Sequence, residues 1–116
     1  KANVVSEMTI IGDVKDKNVI ILDDMVDTAG TLTKAAGIMS NAGAKSVRAV
    51  VTHAVMSDPA SSRVDDSSLE EIIFTNSIPF HKSCKKAHVL SVAPLFADTI
   101  QRVIDNRSIS ENYLTK

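Results

Sequence analysis

Apolar residues gather along the chain in short runs separated by amphipathic stretches. Val19-Ile20-Ile21-Leu22 is β-branched and without alternation, the pattern of a strand buried on both faces, and it ends at Asp23-Asp24. Leu32, Ala35, Ala36 and Met39 follow at i, i+3, i+4 and i+7, so a helix with one apolar stripe is predicted there. Gly43, the residue type that takes positive φ without penalty, closes it. Val47 to Val51 reads as a second buried strand with Thr52-His53 at its end. Asp58-Pro59 reads as an N-cap and first helical residue, opening a short helix over about 59–66. Glu71 to Thr75 is a third strand and His88 to Val92 a fourth. Pro94 opens a last helix whose stripe is Phe96, Ile100, Val103 and Ile104, with Asp98 and Arg102 as an i,i+4 pair. Residues 76–87 and the polar tail from Asn106 carry no periodic pattern.

Strands alternating with helices predict one α/β domain over residues 1–116, a three-layer αβα arrangement with a mostly parallel sheet. Ligands of such folds bind beyond the carboxyl ends of the strands. A chain of 116 residues with 44% hydrophobic content builds its own core, and with three Phe, one Tyr and no Trp that core is aliphatic. Met25, Met39 and Met56 read as core filling. The chain starts at Lys1 and enters Ala2-Asn3-Val4-Val5 with no turn signal, so a segment of a longer protein is expected.

Charge and composition narrow the function. Thirteen basic and fourteen acidic residues leave a net charge of −1, with no basic field and few aromatic platforms for nucleic acid. No apolar run approaches the roughly 20 residues of a membrane span, and residues 1–20 do not read as a signal peptide. Cys84 is the single cysteine, which excludes an internal disulfide and fits a reducing cytoplasm. Three scattered histidines and one cysteine show no zinc-ligand spacing. His53 reads as an ordinary loop residue, His81 and His88 as structural or exposed. The Lys82, Lys85, Lys86 run reads as a solvated face, beside which Cys84 is a plain surface thiol.

The informative chemistry lies in Val19 to Thr31. A strand ends in two acids, a tight loop follows, and a helix starts. The first backbone N–H groups of a helix lack intrahelical acceptors and sit at the positive end of its dipole, so Thr28 to Thr31 offer a phosphate cradle. Gly30 admits a close approach of the anion, and the Thr28 and Thr31 hydroxyls add donors. Carboxylates repel phosphate, so Asp23 and Asp24 must face something else. A vicinal diol supplies two O–H donors to such acceptors. Acids for a diol beside amides for a phosphate match a pentose 5-phosphate. Asp27 either caps the helix or opposes the anion, a conflict a nearby Mg²⁺ would ease. Receiver domains also place paired acids after a buried strand, but they need a later strand ending in Lys, and no strand here ends so.

The run Asp23-Asp-Met-Val-Asp-Thr-Ala-Gly-Thr31 resembles the ribose-phosphate signature of the type I phosphoribosyltransferase superfamily, in the form carried by the ribose-phosphate pyrophosphokinase (phosphoribosyl pyrophosphate synthetase) family. Gly12-Asp13-Val14, Ala42-Gly43-Ala44-Lys45, Thr52-His53, Ser57 with Pro59-Ala60, Thr75-Asn76-Ser77-Ile78-Pro79 and Leu90-Ser91-Val92-Ala93 follow the same family, about residues 3–114 in all. The resemblance implies the carboxyl-terminal half of an enzyme that moves diphosphate from ATP to ribose 5-phosphate, with Mg²⁺, making phosphoribosyl pyrophosphate for nucleotide biosynthesis. It implies that Asp23 holds a ribose hydroxyl, that Asp24 supports the other hydroxyl or a hydrated Mg²⁺, and that Asp27, Thr28, Ala29, Gly30 and Thr31 form the 5-phosphate loop. The family's catalytic Lys and Arg, its ATP site and its metal ligands fall upstream of Lys1 or on a neighbouring subunit of a hexamer. This segment alone is then expected to be inactive, with no catalytic and no metal-binding residue of its own.

Two departures stand out. Where the family has Ser-Gly-Pro-Ala this chain has Asp58 for the glycine. Ser108 and Ser110 match the family's regulatory Ser-x-Ser segment, but Glu111-Asn112-Tyr113-Leu114 follows, longer and more polar than the family's ending. Two alternatives share the loop. A phosphoribosyltransferase adds a hood over the base, and no such insertion is present. A non-catalytic regulator that senses phosphoribosyl pyrophosphate or associates with the synthetase often lacks the acid pair or the loop threonines, and this chain has both.

Overall fold

The computed structural model describes residues 8–113. Leu114 and the Ala2–Val5 entry lie outside the described residues. Four parallel strands form one sheet in the order β1 (Asn18–Val26), β2 (Ser46–Ala54), β3 (Glu71–Thr75) and β4 (Ala87–Leu90). The helices α1 (Gly30–Asn41), α2 (Ala60–Asp65) and α3 (Ala93–Ile104) follow β1, β2 and β4, and a 3₁₀ turn spans Ser110–Asn112. The predicted α/β class with a parallel sheet is what the chain forms.

The core lies under one face of the sheet. Alternate residues of β2 and β3 (Val47, Ala49, Val51, Ile72 and Phe74) are buried against Leu32 and Ala36 of α1 and Ala60 and Val64 of α2. Phe80, from the segment after β3, meets the Phe74 ring edge-on with centroids 5.1 Å apart. At the end of α1 the local chemistry acts as predicted: Gly43 takes φ 92°, its N–H donates to Ser40, and the Ala44 N–H donates back to Met39.

Four expectations are corrected. First, β1 is an edge strand and is not buried on both faces: Ile20 and Leu22 are 61% and 76% exposed. Second, the helical layer expected over that face is missing among the described residues, since α3 buries no side chain and its stripe of Phe96, Ile100, Val103 and Ile104 is exposed. A run without alternation records what a strand can bury, and no described element covers that face here.

Third, Asp58 does not cap α2. The helix begins at Ala60 after Pro59, and the Asp58 carboxylate instead accepts from Lys82 Nζ at 2.8 Å. Fourth, the lysine run is not simply solvated, because Lys82 also donates to the Met56 carbonyl and Lys86 Nζ to the Ser67 carbonyl. β2 is also longer than predicted and takes in Thr52 and His53, with a register shift between Val51 and His53.

Candidate functional site

β1 runs on through both acids to Val26, held by its register with β2, in which Asp23 faces Val51 and Met25 faces His53. Neighbouring side chains in a strand point to opposite faces. Asp23 accordingly lines a hollow of about 280 Å³ at the carboxyl edge of the sheet, together with Met25, Val26, Asp27, Thr28, Ala29, Gly30, Thr31 and Leu32. Asp24 is exposed and outside this lining, and its backbone N–H donates to Asp23 Oδ1 at 2.9 Å. The volume falls at the small end of ligand sites, near 300 Å³.

The loop between β1 and α1 lines this hollow. The first helical hydrogen bond runs from the Thr33 N–H to the Ala29 carbonyl. Among the described residues, none of the N–H groups from Thr28 to Leu32 donates to a protein acceptor. No side chain caps α1. The hydroxyls of Thr28 and Thr31 likewise have no protein partner among the described residues, whereas Thr33 Oγ1 is taken up by the carbonyls of Ala29 and Gly30. Five amides without acceptors at the positive end of a twelve-residue helix draw an anion.

The residue in the left-handed region is Ala29, at φ 60° and ψ 9°, and its methyl group is buried. Gly30 has no positive φ. A Cβ on it would lie 3.5 Å from Arg63 Nη1 and 3.9 Å from Thr28 Oγ1, which is ordinary contact. Sequence reasoning missed Arg63, whose Nη1 donates to the Thr28 carbonyl at 3.0 Å from α2, 35 residues away. No local pattern signals such a contact.

Other candidates sit apart from the hollow. His53 Nδ1 lies 2.7 Å from Ser77 Oγ, across the ends of β2 and β3. Ser108 and Ser110 face each other at 2.7 Å beyond α3, where Arg102 Nη1 donates to the Ser108 carbonyl. Burial, with the hydrogen bond and charge of Asp65, pushes the Cys84 thiol up, against any lowering by its lysine neighbours. Among the described residues no three His, Cys, Asp or Glu side chains converge as metal ligands. A Mg²⁺ ion held by one or two carboxylates and a substrate phosphate requires no such cluster.

Fold and site together define a parallel α/β domain with an uncapped helix start beside a hollow at the carboxyl edge of its sheet. The chain belongs to the phosphoribosyl synthetase-associated domain family, whose model matches residues 2–114. It is 59% identical over 113 residues to a ribose-phosphate pyrophosphokinase of Porphyromonas gingivalis, covering 97% of this chain and 36% of that protein. A ribose-phosphate pyrophosphokinase of Helicobacter hepaticus is 51% identical over 110 residues, covering 95% and 36%. The crystal structure of phosphoribosylpyrophosphate synthetase from Mycobacterium smegmatis superposes with a TM-score of 0.81 at 43% identity, over 83% of this chain and 33% of that one. The chain thus spans about a third of the length of the relatives it matches.

Proposed function

We propose that this chain is the ribose 5-phosphate-binding portion, from the carboxyl-terminal half, of a cytoplasmic, homo-oligomeric ribose-phosphate pyrophosphokinase. The observation that carries this reading is one hollow lined both by Asp23 and by Thr28 to Leu32, whose amides have no acceptor among the described residues. The 5-phosphate docks on the amides and the Thr28 and Thr31 hydroxyls. A ribose hydroxyl donates to Asp23, whose carboxylate has no role toward the anion. Asp24, on the other face of β1, serves the second hydroxyl only through groups outside this chain. Ser108 and Ser110 join a regulatory anion site in the assembled oligomer.

The reaction in this reading is attack of the 1-hydroxyl of ribose 5-phosphate on ATP with transfer of diphosphate. Mg²⁺ supplies charge neutralisation when bound. This chain's own part is to bind and orient the sugar phosphate, and alone it turns over nothing. Retention of both Asp23 and the threonine loop favours the enzyme over a non-catalytic regulator. A basic loop immediately before Lys1 in the parent gene product supports the synthetase, and its absence favours the regulator.

Amide NMR titration of the chain with ribose 5-phosphate, ribose and inorganic phosphate tests the reading. Ribose 5-phosphate and phosphate should both move the Ala29–Thr31 resonances. Asp23→Ala should weaken ribose 5-phosphate about tenfold, since a charge-assisted hydrogen bond contributes about 1.5–3 kcal/mol, while phosphate binds as well or better. Loss of phosphate binding with sugar-phosphate affinity intact would reverse the assigned roles.

A further inference from the structure

We propose that Arg63 is the positioning residue that fixes the Thr28–Ala29 peptide in its anion-binding orientation, an inference that rests on the sugar-phosphate reading above.

Arg63 is not in the anion hollow. It lines a second, shallower hollow of about 680 Å³ with Lys34 and Asp66, and Gly30 borders both. The loop is therefore a wall one residue thick, with the anion on one side and the guanidinium on the other. Arg63 Nη1 donates to the Thr28 carbonyl at 3.0 Å, which turns that oxygen toward α2. A peptide unit is planar and trans, so its C=O and N–H point in opposite directions. Anchoring the carbonyl at the back of the wall aims the Ala29 N–H at the front.

The loop does not hold this orientation by itself. Ala29 sits at φ 60°, where an L-residue other than glycine costs roughly 1–2 kcal/mol. A half-turn of the Thr28–Ala29 peptide moves φ of Ala29 by about 180° at an unchanged ψ of 9°, into the negative-φ bridge region that L-residues can occupy. That flip relieves the strain, but it swings the Thr28 carbonyl into the hollow, where its negative end opposes an anion. The restraint therefore comes from outside the loop. α2 can provide it because Ala60 and Val64 seat it in the core at 0% exposure, leaving Arg63 to reach across.

The test compares wild type, R63M and R63K in the full chain, titrated with inorganic phosphate and with ribose 5-phosphate at the Ala29–Thr31 amides. R63M keeps the stem but removes donor and charge; R63K keeps the charge without the planar fork. R63M should lose about tenfold for both ligands and R63K at least threefold. In both variants the Ala29 HN–Hα coupling should move toward the value for a φ of about −120°, a signature that a general loss of stability does not produce. If R63M proves unfolded by circular dichroism, R63K decides alone.

Binding by R63M within twofold of wild type, with the Ala29 coupling unchanged, overturns the proposal. So does weakened binding by either variant with the Ala29 coupling at its wild-type value, because Arg63 would then act through its charge and not through the orientation of the peptide. In either case the wild type still binds phosphate and the sugar-phosphate reading stands. A wild-type chain with no phosphate response at these amides overturns both.

Discussion

The carboxylate of Asp65 on the last turn of α2 accepts the backbone N–H of Lys86 through Oδ1 at 3.1 Å. Its Oδ2 accepts the N–H of Lys85 at the same distance, and the Cys84 thiol lies 3.4 Å from Oδ1. One side chain thereby ties down the segment that leads into β4. Burial pushes this carboxyl up, but the Lys85 and Lys86 amides, the thiol and the Lys85 charge outweigh it and hold the group below its ordinary 3.8. A depressed folded pKa contributes stability above the unfolded value of about 3.9, and that stability is lost as pH falls through the folded value. Asp65→Asn should cost about 1 kcal/mol in urea unfolding at pH 7, modest because the site is partly exposed. The gap to wild type should narrow below about pH 4. A gap independent of pH would show that the charge of Asp65 contributes nothing.

The same contact governs Cys84. Burial and the neighbouring carboxylate raise its thiol, so little thiolate forms at neutral pH. Iodoacetamide should modify Cys84 at pH 7 more slowly than a free cysteine, and Asp65→Asn should speed the reaction. Equal rates in the two proteins would remove Asp65 as the cause.

Ala29 can be examined without touching Arg63. Valine in the left-handed region is strained by its branched Cβ, so Ala29→Val should destabilise the chain by roughly 2 kcal/mol in urea unfolding. Ala29→Gly should stay within about 1 kcal/mol of wild type, because relief of strain is offset by the greater freedom of the unfolded chain. A glycine variant much less stable than this would mean that the buried methyl group, and not the backbone, sets the energy there.

Burial separates the two faces of the sheet. Phe74, 1% exposed and edge-on to Phe80, should cost about 3–5 kcal/mol when truncated to alanine. Leu22, three-quarters exposed on the opposite face, should tolerate serine within about 0.5 kcal/mol. Denaturant melts at several protein concentrations check both. A large, concentration-dependent loss in Leu22→Ser would mean that the face is covered in solution by another copy.

Local chemistry was legible in the residues themselves. The Asp23 to Thr31 run, the apolar stripe of α1, the Gly43 stop and β3 at residues 71–75 each depend on groups within a few positions of one another, so spacing alone specifies them. Even there, extension of β1 through Asp23 and Asp24 to Val26 was hidden. Acids are poor strand formers, and it is pairing with β2 that carries the strand onward and turns the two carboxylates to opposite faces. Everything that joins distant segments belonged to the tertiary structure: Arg63 behind Thr28, Asp65 on the amides of Lys85 and Lys86, Asp58 drawn to Lys82, and the open face beside Ile20 and Leu22. An apolar or charged residue declares in sequence what kind of neighbour it needs. Which neighbour arrives, and whether one arrives at all, is set by how the strands and helices stack.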